Sequence, residues 1–348
     1  MKEITDLTRQ ELSAWFESNN ERPFRAGQVF KWLYLHNIDT FDEMTDLGKA
    51  LRELLKEKFT LSTMELERSE VSKDGTEKLL FRLQDNAYIE AVIIPEKDHF
   101  TLCISSQAGC SQGCRFCLTA KGGFSRNLTT GEIIGQVRSA RSILAARNAP
   151  HPLSNIVFMG MGEPLANYDN VVNSLSIMTD SDYGLKLSSR RITLSTCGLV
   201  PGILRLGNDT EVNLAVSLNA TTDETRSMLM PVNRRYPMDQ LLKACANFQM
   251  KPRKKITFEY ILIHGVNDTD ADARRLIKLL MPIRAKVNLI PFNEHDESDF
   301  KRPSREKIQA FMQTLLDNNL TAMVRKSKGE DISAACGQLK AKIKSRQK

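Results

Sequence analysis

Three hydrophobic rhythms succeed one another along the chain. Over residues 1–66 the apolar positions recur at helical spacing. Thr8-Arg9-Gln10-Glu11 can cap a helix carrying Leu12, Trp15 and Phe16. Residues 25–35 bring Val29, Phe30, Trp32 and Leu33 to one face, and 47–59 repeat the pattern with Leu51, Leu54, Leu55 and Phe59. Pro23, Asn37 and Asp39 punctuate the pieces, so the spacing predicts a small helical accessory module. Over 67–99 the rhythm becomes that of strands: residues 78–83 and 87–94 flank the turn Gln84-Asp85-Asn86, and Lys73-Asp74-Gly75 marks a turn before them. A β-hairpin extension is expected there. From 100 to 338, strand-like runs at 101–104, 155–159, 191–195, 213–218, 256–263, 287–290 and 321–324 alternate with helical stretches at 130–146, 170–179, 238–248, 271–280 and 305–318. Such alternation predicts a parallel α/β sheet with helices outside. Six or seven units are too few for a closed eight-stranded barrel, so an open, partial (β/α)6 barrel is expected.

Composition adds little to that outline. Hydrophobic residues make up 41% and charged residues 26% of 348, ordinary globular usage. No apolar run approaches the ~18 residues of a membrane span, and the N-terminus lacks the apolar core of an export signal. A soluble cytoplasmic protein with no membrane partner is expected. Lys and Arg exceed Asp and Glu, 49 against 42, which suits a polyanionic partner. Lys340, Lys342, Lys344, Arg346 and Lys348 form a basic C-terminal tail over 339–348, and Lys251, Arg253, Lys254 and Lys255 a second cluster. Neither has interleaved aromatics, which favours phosphate contact over base stacking. Arg22, Arg25 and Lys31 lie near a helix start, where phosphates bind well.

The cysteines change the picture. Four of the seven fall within residues 103–117, a pattern of metal or redox chemistry in a chain without an export signal. Cys110-Ser-Gln-Gly-Cys114-Arg-Phe-Cys117 follows a predicted strand and can wrap one loop around a cubic iron–sulfur cluster. Three thiolates hold three irons; the fourth iron stays open to the amino and carboxylate groups of a methionine moiety. A structural zinc site would want a fourth ligand close by, and the nearest histidine, His99, lies upstream. Further on, Met159-Gly160-Met161-Gly162-Glu163-Pro164-Leu165 offers glycines for close backbone approach and a carboxylate that can accept from an amine.

The cysteine loop resembles the signature of the radical S-adenosylmethionine (SAM) superfamily, and Gly162-Glu163-Pro164 resembles that superfamily's SAM-binding motif. The resemblance narrows to the RlmN/Cfr family of radical SAM RNA adenosine methyltransferases through Thr101 to Cys110, Phe124 to Val137, Ile192 to Gly198, Ser217 to Ala220, Gly265 to Asp268, and the terminal Ala334-Ala335-Cys336-Gly337-Gln338-Leu339. It covers nearly the whole chain. It implies one 4Fe–4S cluster on Cys110, Cys114 and Cys117 with an exchangeable SAM, and two SAM molecules per turnover. It assigns Cys336 as methyl carrier: a radical derived from the second SAM activates the methyl, which then adds to adenine. Glu90 stands where the family has its candidate base, and Cys103 is the thiol that releases the product through a transient disulfide with Cys336. SAM contacts carried over by motif are Gly162, Glu163, Ser195, Ser217, Leu218, Asn219 and Asn293. Two of these depart from the family pattern: Asn219 replaces a common histidine, and Asn293 lacks a following proline. The implied partners are 23S rRNA, tRNA, and an electron donor such as flavodoxin or ferredoxin, acting on a monomer. The Glu163-Pro164 pair favours methylation of adenosine C2 over the Cfr-like C8. The competing readings are a non-catalytic iron–sulfur RNA-binding protein and a radical SAM enzyme for a small molecule or peptide. Cys197 and Cys245 match no catalytic position and read as structural.

Overall fold

In the computed structural model, which describes residues 1–295 and 297–341, ten strands form one sheet in strict chain order. They are β1 (Glu65–Val71), β2 (Glu77–Arg82), β3 (Tyr88–Pro95), β4 (Phe100–Cys103), β5 (Leu153–Phe158), β6 (Ile192–Thr196), β7 (Asn213–Ser217), β8 (Ile256–Leu262), β9 (Ala285–Pro291) and β10 (Ala322–Val324). β1 to β4 pair antiparallel, whereas β4 to β10 pair parallel. The parallel part is the expected partial barrel: each strand from β4 to β9 leads into a helix, and the short β10 follows the last. Helices Thr130–Ala146, Tyr168–Thr179, Met238–Ala246, Asp270–Leu280 and Arg305–Asp317 lie within two residues of the predicted bounds.

Local chemistry explains these elements. Thr129 accepts from the Glu132 backbone while Glu132 reaches back to the Thr129 backbone, closing a capping box at the start of Thr130–Ala146. That helix buries Ile133, Ile134, Val137 and Ala140 against the sheet, each large side chain contributing about 1.5–3 kcal/mol. Strands β6 to β9 are covered on both faces and read as nearly continuous apolar runs.

Three features differ from the sequence expectation. The hairpin is three-stranded, because β1 precedes it, and it continues the barrel sheet through the β3–β4 pairing. Helices Val200–Asp209 and Asp223–Leu229 were not predicted. The expected 25–35 helix is α-helical over Arg25–Phe30 and then widens into a π-helical segment, Lys31–His36. The N-terminal helices pack around Leu12, Phe16, Val29, Phe30, Leu51 and Leu55. They are fixed to the barrel by the Gly131 amide donating to Asp6 at 2.8 Å, the Arg9–Asp180 ion pair at 2.7 Å, and Arg138 donating to the Ile38 carbonyl. Among the described residues no helix is long and apolar enough to cross a membrane. Of the basic tail, Lys342, Lys344, Arg346 and Lys348 lie outside the described residues.

Candidate active site

The cysteine loop is stapled at its base. Gln107–Gly109 pairs antiparallel with Phe124–Asn127, and the Cys110 amide donates to the Gly123 carbonyl at 2.8 Å. Gly109 has φ +83°, and a Cβ there would stand 2.0 Å from the Gly123 oxygen, so no larger residue fits. Between the staples, Cys110, Cys114 and Cys117 line a cavity of about 870 Å³ at the carboxyl ends of the parallel strands, where open α/β sheets place their ligands. The three thiols are free and partly buried. Among the described residues, no three histidine, cysteine or acidic side chains converge on a point that a single ion could occupy. Burial pushes the Cys110 thiol up to about 12 and the Cys114 thiol well above its ordinary value. Thiols in such surroundings become ligating thiolates only beside a strong cationic centre. A loop of three spaced thiols around a wide cavity fits a multi-iron cluster and does not fit one tetrahedral ion.

Opposite the loop, Gly160 and Gly162 allow the end of β5 to press on residues 104–107. A Cβ on Gly162, whose φ is +99°, would lie 2.5 Å from the Gln107 Cβ. Glu163 is 3% exposed. Its carboxylate accepts from the Cys197 amide at 2.7 Å, the Thr196 hydroxyl at 2.7 Å and the Leu165 amide at 3.0 Å. Burial raises its pKa, and these donors oppose the rise. The carboxylate therefore clamps β5 to the end of β6 at the wall of the cavity it lines.

Ser195 and Ser217 also line that cavity. Asn219 does too, in the left-handed conformation (φ 59°) that asparagine tolerates. Its side chain is used internally, accepting from the Ile261 amide at 2.8 Å and donating to the Met230 sulfur at 3.3 Å. Leu218 is fully buried and lines neither this cavity nor the neighbouring one described below. A residue that sequence reasoning missed sits here. Glu259 on β8 is buried, takes the Ser195 hydroxyl on one oxygen at 2.8 Å, and leaves the other oxygen without a hydrogen-bond partner. An orphaned carboxylate oxygen in a cavity asks for a donor from a bound molecule. An amine or hydroxyl of a bound ligand would supply one. Arg226 was missed as well; its fully buried guanidinium donates to the carbonyls of Cys197, Ser217 and Leu218. Neither residue gives a periodic signal, since both are charges where burial would predict an apolar side chain.

The remaining candidates gather around the C-terminal segment. Cys336 lines the large cavity and also a narrow adjoining chamber lined by Cys103 and Asn293. Asn293 donates to the Cys336 carbonyl at 3.2 Å and accepts from the Ser327 hydroxyl at 2.6 Å, so its side chain holds the Cys336 loop. The Leu118 amide donates to the Gly337 carbonyl at 2.8 Å, and the Thr119 hydroxyl to the Leu339 carbonyl at 2.6 Å, which ties this segment to the cysteine loop. Glu90, on β3, is 3% exposed. It accepts from the Lys340 amide at 2.8 Å, with Lys78 at 3.8 Å from its other oxygen. It lies under the C-terminal segment and lines neither cavity. Burial raises the thiol of Cys103 to about 12 and that of Cys336 above its ordinary value.

Comparison with known proteins bears on this assembly. The family profile of the ribosomal RNA large subunit methyltransferase N-terminal domain matches residues 2–61, and that of the radical SAM superfamily matches residues 104–277. The chain is 57% identical over 343 residues to the dual-specificity RNA methyltransferase RlmN of Desulfosudis oleivorans, covering 99% of this chain and 92% of that protein. It is 52% identical over 343 residues to the RlmN of Geobacter sulfurreducens, covering 99% and 93%. A crystal structure of a radical SAM methyltransferase from Sphaerobacter thermophilus superposes with a TM-score of 0.91 at 43% identity, covering 98% of this chain and 100% of that one. The cysteine loop, the Glu163 clamp and the near-complete coverage agree: the chain belongs to the RlmN family of radical SAM methyltransferases, with a 4Fe–4S cluster and SAM as its cofactors.

Proposed function

We propose that this chain methylates C2 of an adenosine in the peptidyl-transferase region of 23S rRNA, and of the adenosine 3′ of the anticodon in tRNA. The observation that carries the reading is the position of Cys336, the one cysteine that lines both the cofactor cavity and the chamber of Cys103. Adenine C2 lies between two ring nitrogens and is too electron-poor to attack a methyl donor directly. It needs a carrier that takes a methyl group and is then activated in place. Cys110, Cys114 and Cys117 hold the cluster, and Glu163, Ser195, Ser217 and Glu259 surround SAM; when bound, this pair supplies the methyl group and the one-electron activation, with two SAM consumed per turnover. Cys336 accepts the methyl on Sγ as a thiolate nucleophile. Glu90 takes the C2 proton. Because its carboxylate accepts the Lys340 amide, residues 339–341 must shift before it can reach a base. Cys103 then attacks Sγ of Cys336, forming a disulfide and freeing the product; a cytoplasmic dithiol returns the two electrons.

The relatives named as RNA methyltransferases support an RNA substrate, and the methyl carrier sets this reading above a non-catalytic binding protein. Basic positions such as Arg22, Lys31 and Lys121 offer phosphate contacts. We take the protein to be a cytoplasmic monomer fed by flavodoxin or ferredoxin. The test is nucleoside mass spectrometry after an anaerobic reaction of the cluster-loaded protein with SAM, reductant, and either a 23S rRNA fragment or bulk tRNA. 2-Methyladenosine from both RNAs is expected. 8-Methyladenosine would overturn the regiochemistry, and no methylated adenosine despite SAM cleavage would overturn the substrate.

A further inference from the structure

We propose that Arg325 is the positioning residue that readies Cys103 for nucleophilic attack, by presenting its guanidinium across the chamber the two share. The inference rests on the role given above to Cys103.

Cys103 ends β4, where its pairing with Val157 on β5 and Val92 on β3 fixes the backbone from both sides. It cannot travel to a more polar setting, so its surroundings must supply the activation. Burial, foremost, pushes the thiol up to about 12; Cys336 and Glu259 push the same way, while Arg325 is the cation that opposes them. At neutral pH such a thiol is almost entirely protonated. The nucleophile is the thiolate, so a cation that faces it across the chamber raises its reactivity.

The guanidinium is placed for this. Arg325 follows β10, and its amide donates to the Leu289 carbonyl at 2.9 Å. Its side chain lines the chamber together with Cys103, Cys336, Met159, Asn293 and Lys328. Its hydrogen bond is to the Met159 sulfur at 3.6 Å, a weak acceptor, and among the described residues it pairs with no carboxylate. The charged or titratable groups that bear on it are Cys336, Glu259, Cys103 and Glu96. A half-buried guanidinium whose side chain finds only a weak sulfur acceptor is available to an anion that forms beside it. When Cys336 carries its methyl group it is a neutral thioether, and Cys103 is then the one thiol left on the chamber.

The test uses the full-length, cluster-loaded protein under anaerobic conditions. The rate of Cys103 alkylation by iodoacetamide is followed from pH 7 to 9 by peptide mass spectrometry, in wild type, Arg325→Met and Arg325→Lys. Arg325→Met should slow alkylation of Cys103 at least tenfold at pH 8 and move the pH profile upward. Arg325→Lys should restore most of the rate. Cys245, which lines neither cavity, should not change in any variant. If Arg325 merely props the chamber open, its loss loosens the packing and speeds alkylation; that result, or an unchanged rate, overturns the proposal. The functional reading is judged separately, by the wild-type nucleoside assay.

Discussion

Replacing Arg226 by Met tests how the barrel holds the SAM-facing strand ends. The guanidinium is 0% exposed. It donates to the Cys197 carbonyl at 2.7 Å, the Ser217 carbonyl at 3.1 Å, the Leu218 carbonyl at 3.1 Å and the Asn233 side-chain oxygen at 3.0 Å. The three carbonyls lie at the ends of β6 and β7, which present Ser195 and Ser217, and Asn233 lies in the turn Pro231–Arg234. Methionine keeps the apolar stem and removes all the donors. Each buried acceptor left bare costs about 1–3 kcal/mol, but releasing a buried guanidinium refunds part of the sum. A net loss of about 3–5 kcal/mol follows, in line with breaking a buried charged network. The assay is hydrogen exchange resolved by peptide. Amides of β6 and β7 should lose protection by roughly a hundredfold or more, since about 1.4 kcal/mol is a factor of ten. A loss below tenfold would refute the view that this side chain holds the two strands together.

Other substitutions probe the site at different depths. Gly162→Ala forces a side chain into positive φ and against Gln107, whose Oε1 accepts the Glu163 amide at 2.8 Å; SAM affinity measured calorimetrically should fall at least tenfold. Glu90→Gln keeps an oxygen for the Lys340 amide, so Cys336 should still be methylated while RNA product falls by about 10²–10⁴; Cys103→Ser should halt one step later, with RNA joined covalently to Cys336 and retarded on a gel. The bond from Arg126 holds Asp85 at about 2 against an ordinary 3.8. A lowered folded value means that this link between the hairpin turn and Phe124–Asn127 is present above the ordinary value and is lost as pH falls through the lower one. The Asp85 side-chain carbon resonance should titrate near 2, and a midpoint at 3.8 would deny the contact.

Much of this was legible before any coordinates. The parallel strands stand out because apolar runs, covered on both faces over β6 to β9, contrast with amphipathic helices between them. β1 was hidden because Glu65, Glu67, Arg68 and Glu70 keep it polar, as suits a sheet edge that must not pair with other chains. Helix Val200–Asp209 was hidden by Pro201, Gly202 and Gly207, although proline is welcome in a first helical turn and a Cβ on Gly202 would meet Leu165 at 2.9 Å. The cysteine loop and Gly162-Glu163 are local motifs, so they could be read directly. Glu259, Arg226 and Arg325 could not, because their meaning lies in partners up to 166 residues away along the chain. The same holds for the docking of residues 329–340. Asp74 accepts from the Gly329 amide, Ser72 donates to Asp331 and Lys78 donates to the Ile332 carbonyl, and no pattern along the chain announces those contacts.

The role of Cys336 is open to a labelling experiment. The protein is first incubated with SAM bearing an isotopic methyl and no RNA, freed of excess SAM, and then given unlabelled SAM, reductant and RNA for a single turnover. If Cys336 carries the methyl, its peptide holds the label before RNA is added, and the first 2-methyladenosine formed contains it. A first product bearing only the unlabelled methyl, or a label on another cysteine, would contradict the carrier role and with it the chemistry built around the two cavities.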